Sequence, residues 1–128
     1  MRYVLGIDIG GTNLVVGCVA EDGSALHGSA SAPTHAEAGT SDVVDRLVAL
    51  AQGCIEETRR AIPDAEILGV GVGAPGPLDT HRGIVLLSPN LGWVNFPLRQ
   101  IIHDRLGLHA ELDNDANCAV LGLSLIHI

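Results

Sequence analysis

The sequence predicts an α/β fold that starts with antiparallel strands and continues as strands alternating with helices. Three observations carry this. The β-branched run from Tyr3 to Ile9 ends at the pair Gly10-Gly11 and is followed at once by a second apolar run, Leu14 to Ala20, the pattern of two strands joined by a tight turn. From Ser41 the apolar residues switch to helical spacing, at Val44, Leu47, Val48, Ala51 and Ile55, which is the period of one helix face. Beyond that segment short apolar runs and further helical stretches alternate, the order expected of a mixed sheet covered by helices.

Taken in order, residues 3–9 and 14–20 form the first two strands, the second closing at Glu21-Asp22-Gly23-Ser24. Residues 25–32 add a weaker third strand of small side chains before Pro33. The helix that starts near Ser41 has Asp42 in its first turn, where a carboxylate suits the helix dipole, and Pro63 just past its end. Ile67 to Val72 is again a strand, running into Gly73-Ala74-Pro75-Gly76-Pro77, where two prolines stop it. Ile84 to Leu87 is a short strand, followed by an irregular segment, Ser88 to Trp93. Pro97 to Leu106 reads as a helix with Pro97 in its first turn and Gly107 as its stop. His109 to Leu112 is the last strand, and Asn114-Asp115-Ala116-Asn117 opens a final helix over 116–122. An antiparallel start with this α/β continuation fits a ribonuclease-H-like lobe better than a uniform βαβ repeat.

Composition narrows the function classes. The chain has 128 residues, 47% apolar and 17% charged, a balance that fits one packed domain rather than disorder. Seven Lys and Arg against fifteen Asp and Glu give a net charge of -8, which disfavours nucleic acid and anionic membrane as partners. A phosphorylated ligand would need local positive potential from backbone N–H groups or a metal. Cys18, Cys54 and Cys118 are widely spaced without a C-x-x-C, so neither a disulfide framework nor a zinc site is expected within this segment, and a reduced cytoplasm fits. The six histidines are dispersed and none is assigned to metal. No signal peptide and no membrane span is expected.

The first candidate for chemistry is Asp8-Ile9-Gly10-Gly11-Thr12-Asn13. Glycines let backbone N–H groups approach a phosphate, Thr12 and Asn13 can donate hydrogen bonds, and Asp8 can hold a hydrated Mg²⁺. An ordinary hairpin turn would need the same glycines, so the turn alone leaves both readings open. Asn114 and Asp115 are equally ambiguous, since both residue types are favoured as helix N-caps. Gly71-x-Gly73-x-x-Gly76 satisfies the dinucleotide fingerprint, but Pro75 and Pro77 block the helix it requires, and Leu91 to Pro97 offers no acidic ribose ligand. Trp93 could stack on a sugar face or pack beneath a loop; packing is the expectation.

Four motifs in order then give a resemblance. Asp8 to Thr12 resembles the D-I-G-G-T phosphate motif of the actin, hexokinase and Hsp70 superfamily as the ROK (repressor, open reading frame, kinase) family of sugar kinases carries it. Gly71 to Asp79 is similar to the family's G-x-G-x-P-G-P-x-D, Ser88 to Trp93 to its S-P-N-L-x-W, and Asp113 to Asn117 to its (E/D)-N-D-A-N signature. The resemblance implies the N-terminal ribonuclease-H-like lobe of an actin-like ATPase fold and an ATP-dependent, Mg²⁺-dependent hexose kinase, with glucose the first guess. It implies that Asp8, Gly10, Gly11, Thr12 and Asn13 face the nucleotide phosphates and metal, that Gly76, Asn90 and Asn114 line the sugar pocket, and that Asp115 is the catalytic base. A carboxylate there would orient a sugar hydroxyl and take its proton during phosphoryl transfer.

The family's second lobe, with its E-x-x-H sugar contacts, structural zinc motif and adenine site, has no counterpart in these residues, so the chain as it stands is expected to be inactive and the full-length protein to be a cytoplasmic homodimer. The lobe is expected to span 1–122. Leu123 to Ile128 matches the translation of a transposon end used in sequencing libraries and is expected to be a non-native tail. Other expectations kept open are polyphosphate as donor, a non-catalytic sugar-binding module, and a sugar-responsive repressor, the last disfavoured because the first strand starts two residues from Met1.

Overall fold

A computed structural model describes residues 1–117, 119 and 120. Eight strands and two α-helices occur among them: β1 (Arg2–Ile9), β2 (Asn13–Ala20), β3 (Leu26–Pro33), α1 (Thr40–Ala61), β4 (Glu66–Gly73), β5 (Leu78–Asp79), β6 (Ile84–Ser88), β7 (Trp93–Phe96), α2 (Leu98–Leu106) and β8 (Ala110–Asp113). Residues 116, 117, 119 and 120 are also helical; the rest of the helix expected over 116–122, together with the tail, lies outside the described residues.

The main sheet has the order β3-β2-β1-β4-β8. β1, β2 and β3 pair antiparallel through the two short turns, whereas β1, β4 and β8 run parallel, because α1 and then α2 carry the chain back across the sheet between them. This is the expected ribonuclease-H-like order. The parallel run has a consequence for the site: it brings the carboxyl ends of β1, β4 and β8 to one edge, with Asp8 beside Gly73 and Gly73 beside Asp113 in register.

Alternation along β1 and β2 divides the two faces of the sheet. Tyr3, Leu5, Ile7 and Ile9 of β1 and Leu14, Val16 and Cys18 of β2 pack in one core with Val43, Leu47, Ala51, Cys54 and Ile55 of α1. Leu47 is 1% exposed, and truncating such a side chain to Ala costs about 2–5 kcal/mol. The other face, carrying Gly6, Gly71 and Gly73, lies against the last helix. A Cβ on Gly71 would sit 2.6 Å from the Val120 nitrogen, and one on Gly73 would sit 2.4 Å from the Ala116 nitrogen. The first two glycines of the apparent dinucleotide fingerprint thus serve close helix-to-strand packing.

A three-stranded antiparallel sheet, β5-β6-β7, was not foreseen beyond β6. β5 is two residues long and β7 four, too short for alternation to register. Trp93, placed in an irregular segment by its neighbours, opens β7; it is 2% exposed and stacks on Phe96 with ring centroids 4.3 Å apart. It is a packing residue. Pro97 caps α2 rather than entering its first turn, and its carbonyl accepts from the Ile101 N–H at 3.1 Å.

Candidate functional site

The parallel-strand edge opens into a cleft of about 450 Å³ lined by Asp8, Asn114, Asp115, Ala116 and Asn117 and continuing over Val15 and Gly17 of β2. Asp8 reaches it because it alternates with the buried Ile7 and Ile9 and so points to the opposite face. Asn114 and Asp115 reach it because β8 ends at Asp113 and the last helix begins directly afterwards. Ligands of open α/β sheets bind outside the carboxyl ends of the strands, and these three residues occupy that position.

Asp115 is both a cap and an exposed carboxylate. Its Oδ1 accepts the Asn117 N–H at 2.8 Å, and its carbonyl accepts the Ala119 N–H at 3.1 Å. Its own N–H donates to Asp113 Oδ1 at 3.3 Å. The capping alternative is therefore real, and it is compatible with chemistry: one carboxylate oxygen fixes the helix start while the group as a whole is held on the cleft. Asn114 is committed differently. Its Nδ2 donates to the Gly76 carbonyl at 2.7 Å and to the Ala74 carbonyl at 3.2 Å, which uses both amide hydrogens and leaves Oδ1 as an acceptor.

Gly76 is not a lining residue of the cleft among those described; it is the backbone that Asn114 holds. Its φ of 91° and the 2.2 Å that would separate an added Cβ from the Leu87 carbonyl exclude any side chain. Asn90, in the turn between β6 and β7, stands over the first turn of the chain: its Nδ2 lies 3.5 Å from where a Cβ on Gly11 would be. Gly11, Thr12 and Asn13 are exposed at that turn, and Gly10 N–H closes it on the Asn13 carbonyl at 2.9 Å. The structure thus gathers Asp8, Asn114 and Asp115 on one cleft and holds Gly76 beside it through Asn114, whereas Gly10, Gly11, Thr12, Asn13 and Asn90 are not among the residues that line it.

Two residues that the motifs passed over shape the turn. Thr34 is fully buried; its Oγ1 donates to the Gly10 carbonyl and its N–H to the Thr12 carbonyl, each at 2.8 Å. Arg46 of α1 donates to the carbonyls of Pro33, at 2.9 Å, and Thr34, at 2.5 Å, and pairs with Asp42 one turn earlier. The Asp42 and Arg46 spacing was visible as an i,i+4 pair, but a threonine after a strand-ending proline carries no signal of its own.

Among the described residues no three His, Cys, Asp or Glu side chains are grouped to hold a metal. A lone exposed Asp8 fits Mg²⁺ that arrives with phosphates, since that ion keeps several waters and takes one or two protein carboxylates. No helix among the described residues is long and apolar enough to cross a membrane.

The ROK family model matches residues 4–126. The chain belongs to the ROK family. Among ROK relatives, the glucokinase of Thermotoga maritima is 40% identical over 121 residues, 93% of this chain and 35% of that protein. The xylose repressor of Caldicellulosiruptor bescii is 40% identical over 80 residues, 61% of this chain and 20% of that protein. A crystal structure of a ROK glucokinase from Streptomyces griseus, in complex with glucose and AMPPNP, superposes with a TM-score of 0.75 at 32% identity, over 90% of this chain and 34% of that one. The fold is therefore that of the N-terminal lobe of ROK kinases, and the chain spans about a third of the length of the curated glucokinases it matches.

Proposed function

We propose that this lobe supplies the phosphate turn and the catalytic base of a cytoplasmic ROK kinase that transfers the γ-phosphoryl group of ATP to a hexose, with glucose the first candidate. The observation that carries the reading is the joint presence of Asp8, Asn114 and Asp115 on one cleft at the carboxyl ends of parallel strands. The glucose and AMPPNP held by the Streptomyces griseus relative support it.

In this reading the Asp115 carboxylate accepts the proton of the attacking sugar hydroxyl, and its bond to the Asn117 N–H keeps it aimed. Asn114 Oδ1 accepts from a neighbouring hydroxyl while Nδ2 holds the Gly76 backbone against the sugar. Asn90 orients the sugar from the facing turn. Gly11, Thr12 and Asn13 offer backbone and side-chain donors to the phosphates, and Gly10 closes the turn that presents them. Magnesium, brought in with the nucleotide and met by Asp8, would neutralise charge on the phosphate oxygens.

The test uses a chimera in which this chain replaces the matching segment of the Thermotoga maritima glucokinase. Sugar-dependent ADP release is expected with glucose, and Asp115→Ala should abolish it while glucose binding stays measurable. Turnover that survives Asp115→Ala removes that residue as the base. A sugar-responsive repressor is the second reading, favoured by the match to the xylose repressor; it predicts sugar binding with no ADP release from the unmutated chimera.

A further inference from the structure

Cys18 of β2 and Cys54 of α1 meet inside the core, with their sulfurs 3.5 Å apart. Both are free thiols, 0% and 2% exposed. The site around them is built. The Thr58 hydroxyl donates to the Cys54 carbonyl at 2.8 Å, and the Cys54 thiol faces the His27 carbonyl at 3.6 Å. Gly28 of β3, at a φ of 65°, lies so close that an added Cβ would stand 2.7 Å from the Cys54 carbonyl and 3.0 Å from its sulfur.

Cys54 forms part of the wall of a groove of about 740 Å³ between α1 and β3, together with Gly28, Ser29, Ala30, Leu50 and Gly53. Cys54 is the one of the two that borders this groove; Cys18 is fully buried. The partners also prepare the chemistry: the Cys54 thiol, donating to Cys18, holds the Cys18 thiol down at about 7 against the pull of burial. That lowering favours the thiolate, the form that attacks oxidants.

From this geometry we infer that Cys18 and Cys54 form a redox-active dithiol site that small hydroperoxides oxidise to an intramolecular disulfide joining β2 to α1. The thiolate attacks one oxygen of hydrogen peroxide; the O–O bond breaks, a sulfenic acid forms and hydroxide leaves. The second thiol then attacks the sulfenic sulfur, the S–S bond forms, the S–O bond breaks and water leaves. Two electrons pass from the sulfurs to the peroxide, so two thiols and one peroxide give one disulfide and two waters. Reduction by a small dithiol reverses the link. The inference rests on the core and stands independently of the kinase reading.

The test takes the chain with Cys118→Ser, leaving this pair alone, and treats it with hydrogen peroxide near neutral pH. Denaturing alkylation with N-ethylmaleimide and intact mass follow, before and after reduction with dithiothreitol. Peroxide should remove both alkylation additions, dithiothreitol should restore them, and a proteolytic fragment should join the Cys18 and Cys54 peptides. Retention of both additions, or oxygen added to one sulfur without a cross-link, overturns the inference. The same treatment in concentrated urea should cross-link more slowly, because the sulfurs lose their juxtaposition; an equal rate in the unfolded chain would show that the fold builds no site.

Discussion

Asn114 donates from its side-chain amide to the Gly76 carbonyl at 2.7 Å, tying the start of the last helix to the loop that leaves β4. Asn114→Ala removes this bond and the one to Ala74 together. Because Gly76 is exposed and water can replace the donor, the expected loss is modest, about 1 kcal/mol in urea unfolding. Asn114→Asp should cost more, since it places a carboxylate against two carbonyl oxygens. An Asp variant as stable as the Ala variant would show that the loop moves freely away.

Capping and catalysis at Asp115 separate by substitution. Asparagine caps a helix about as well as aspartate, whereas alanine loses about 1 kcal/mol. Thermal or urea unfolding should therefore rank wild type and Asp115→Asn together, with Asp115→Ala below. In the chimera both variants should lose sugar-dependent ADP release. If Asp115→Asn keeps turnover, the carboxylate is only a cap.

Gly73 sits between Asp8 and Asp113 in the sheet and beneath Ala116. The Cβ of Gly73→Ala would lie 2.4 Å from a backbone nitrogen, so the helix that starts at Asp115 must shift. Overpacking of this kind costs about 1–3 kcal/mol. Amide shifts in NMR spectra should concentrate at residues 113–120. Spectra unchanged there would mean the helix does not rest on β4.

Thr34→Val keeps the volume but removes the hydroxyl bonded to Gly10. The Gly10 carbonyl then loses a buried partner, at a cost of about 1–3 kcal/mol, and Thr34→Ser should restore most of it. The Gly10 and Gly11 amide resonances should move in the Val variant and return in the Ser variant. Equal stability of all three would remove Thr34 as an anchor of the turn.

The thiol pair gives stability a pH signature. The folded Cys18 value of about 7 lies below its ordinary 9.0, held there chiefly by the Cys54 hydrogen bond with help from Thr58 and Arg59. Between these values the unfolded chain keeps a proton that the folded chain has released, so stability should rise from about pH 7 to pH 9. Cys54 is pushed the other way, mainly by its bond to Cys18 and by burial. Above pH 9 the folded state therefore holds a proton that the unfolded state loses, and stability should fall again. Urea unfolding of wild type minus Cys18→Ala should show this rise and fall; a flat difference would mean the pair is not coupled.

Much of this was legible before any coordinates. Apolar, β-branched runs closed by turn residues and a helix of 22 residues at period 3.6 state their type in the chain itself, and the motifs around Asp8 and Asp115 drew attention to the residues that share the cleft. β5 and β7 escaped because two and four residues hold too little of a period. Thr34 and Arg46 escaped because their roles are bonds to backbone carbonyls, which leave no mark on residue type.

By itself the sequence determined the strand and helix types and the antiparallel start, because these follow from local apolar runs and period, and its motifs marked Asp8, Asn114 and Asp115 as residues to look for together. Only the tertiary structure decided that Asp8, Gly73 and Asp113 fall in one row, that Asn114 holds Gly76, and that Cys18 meets Cys54. Each of those depends on contacts between residues far apart in the chain, set by strand register and helix packing, and no local pattern encodes the distance between them.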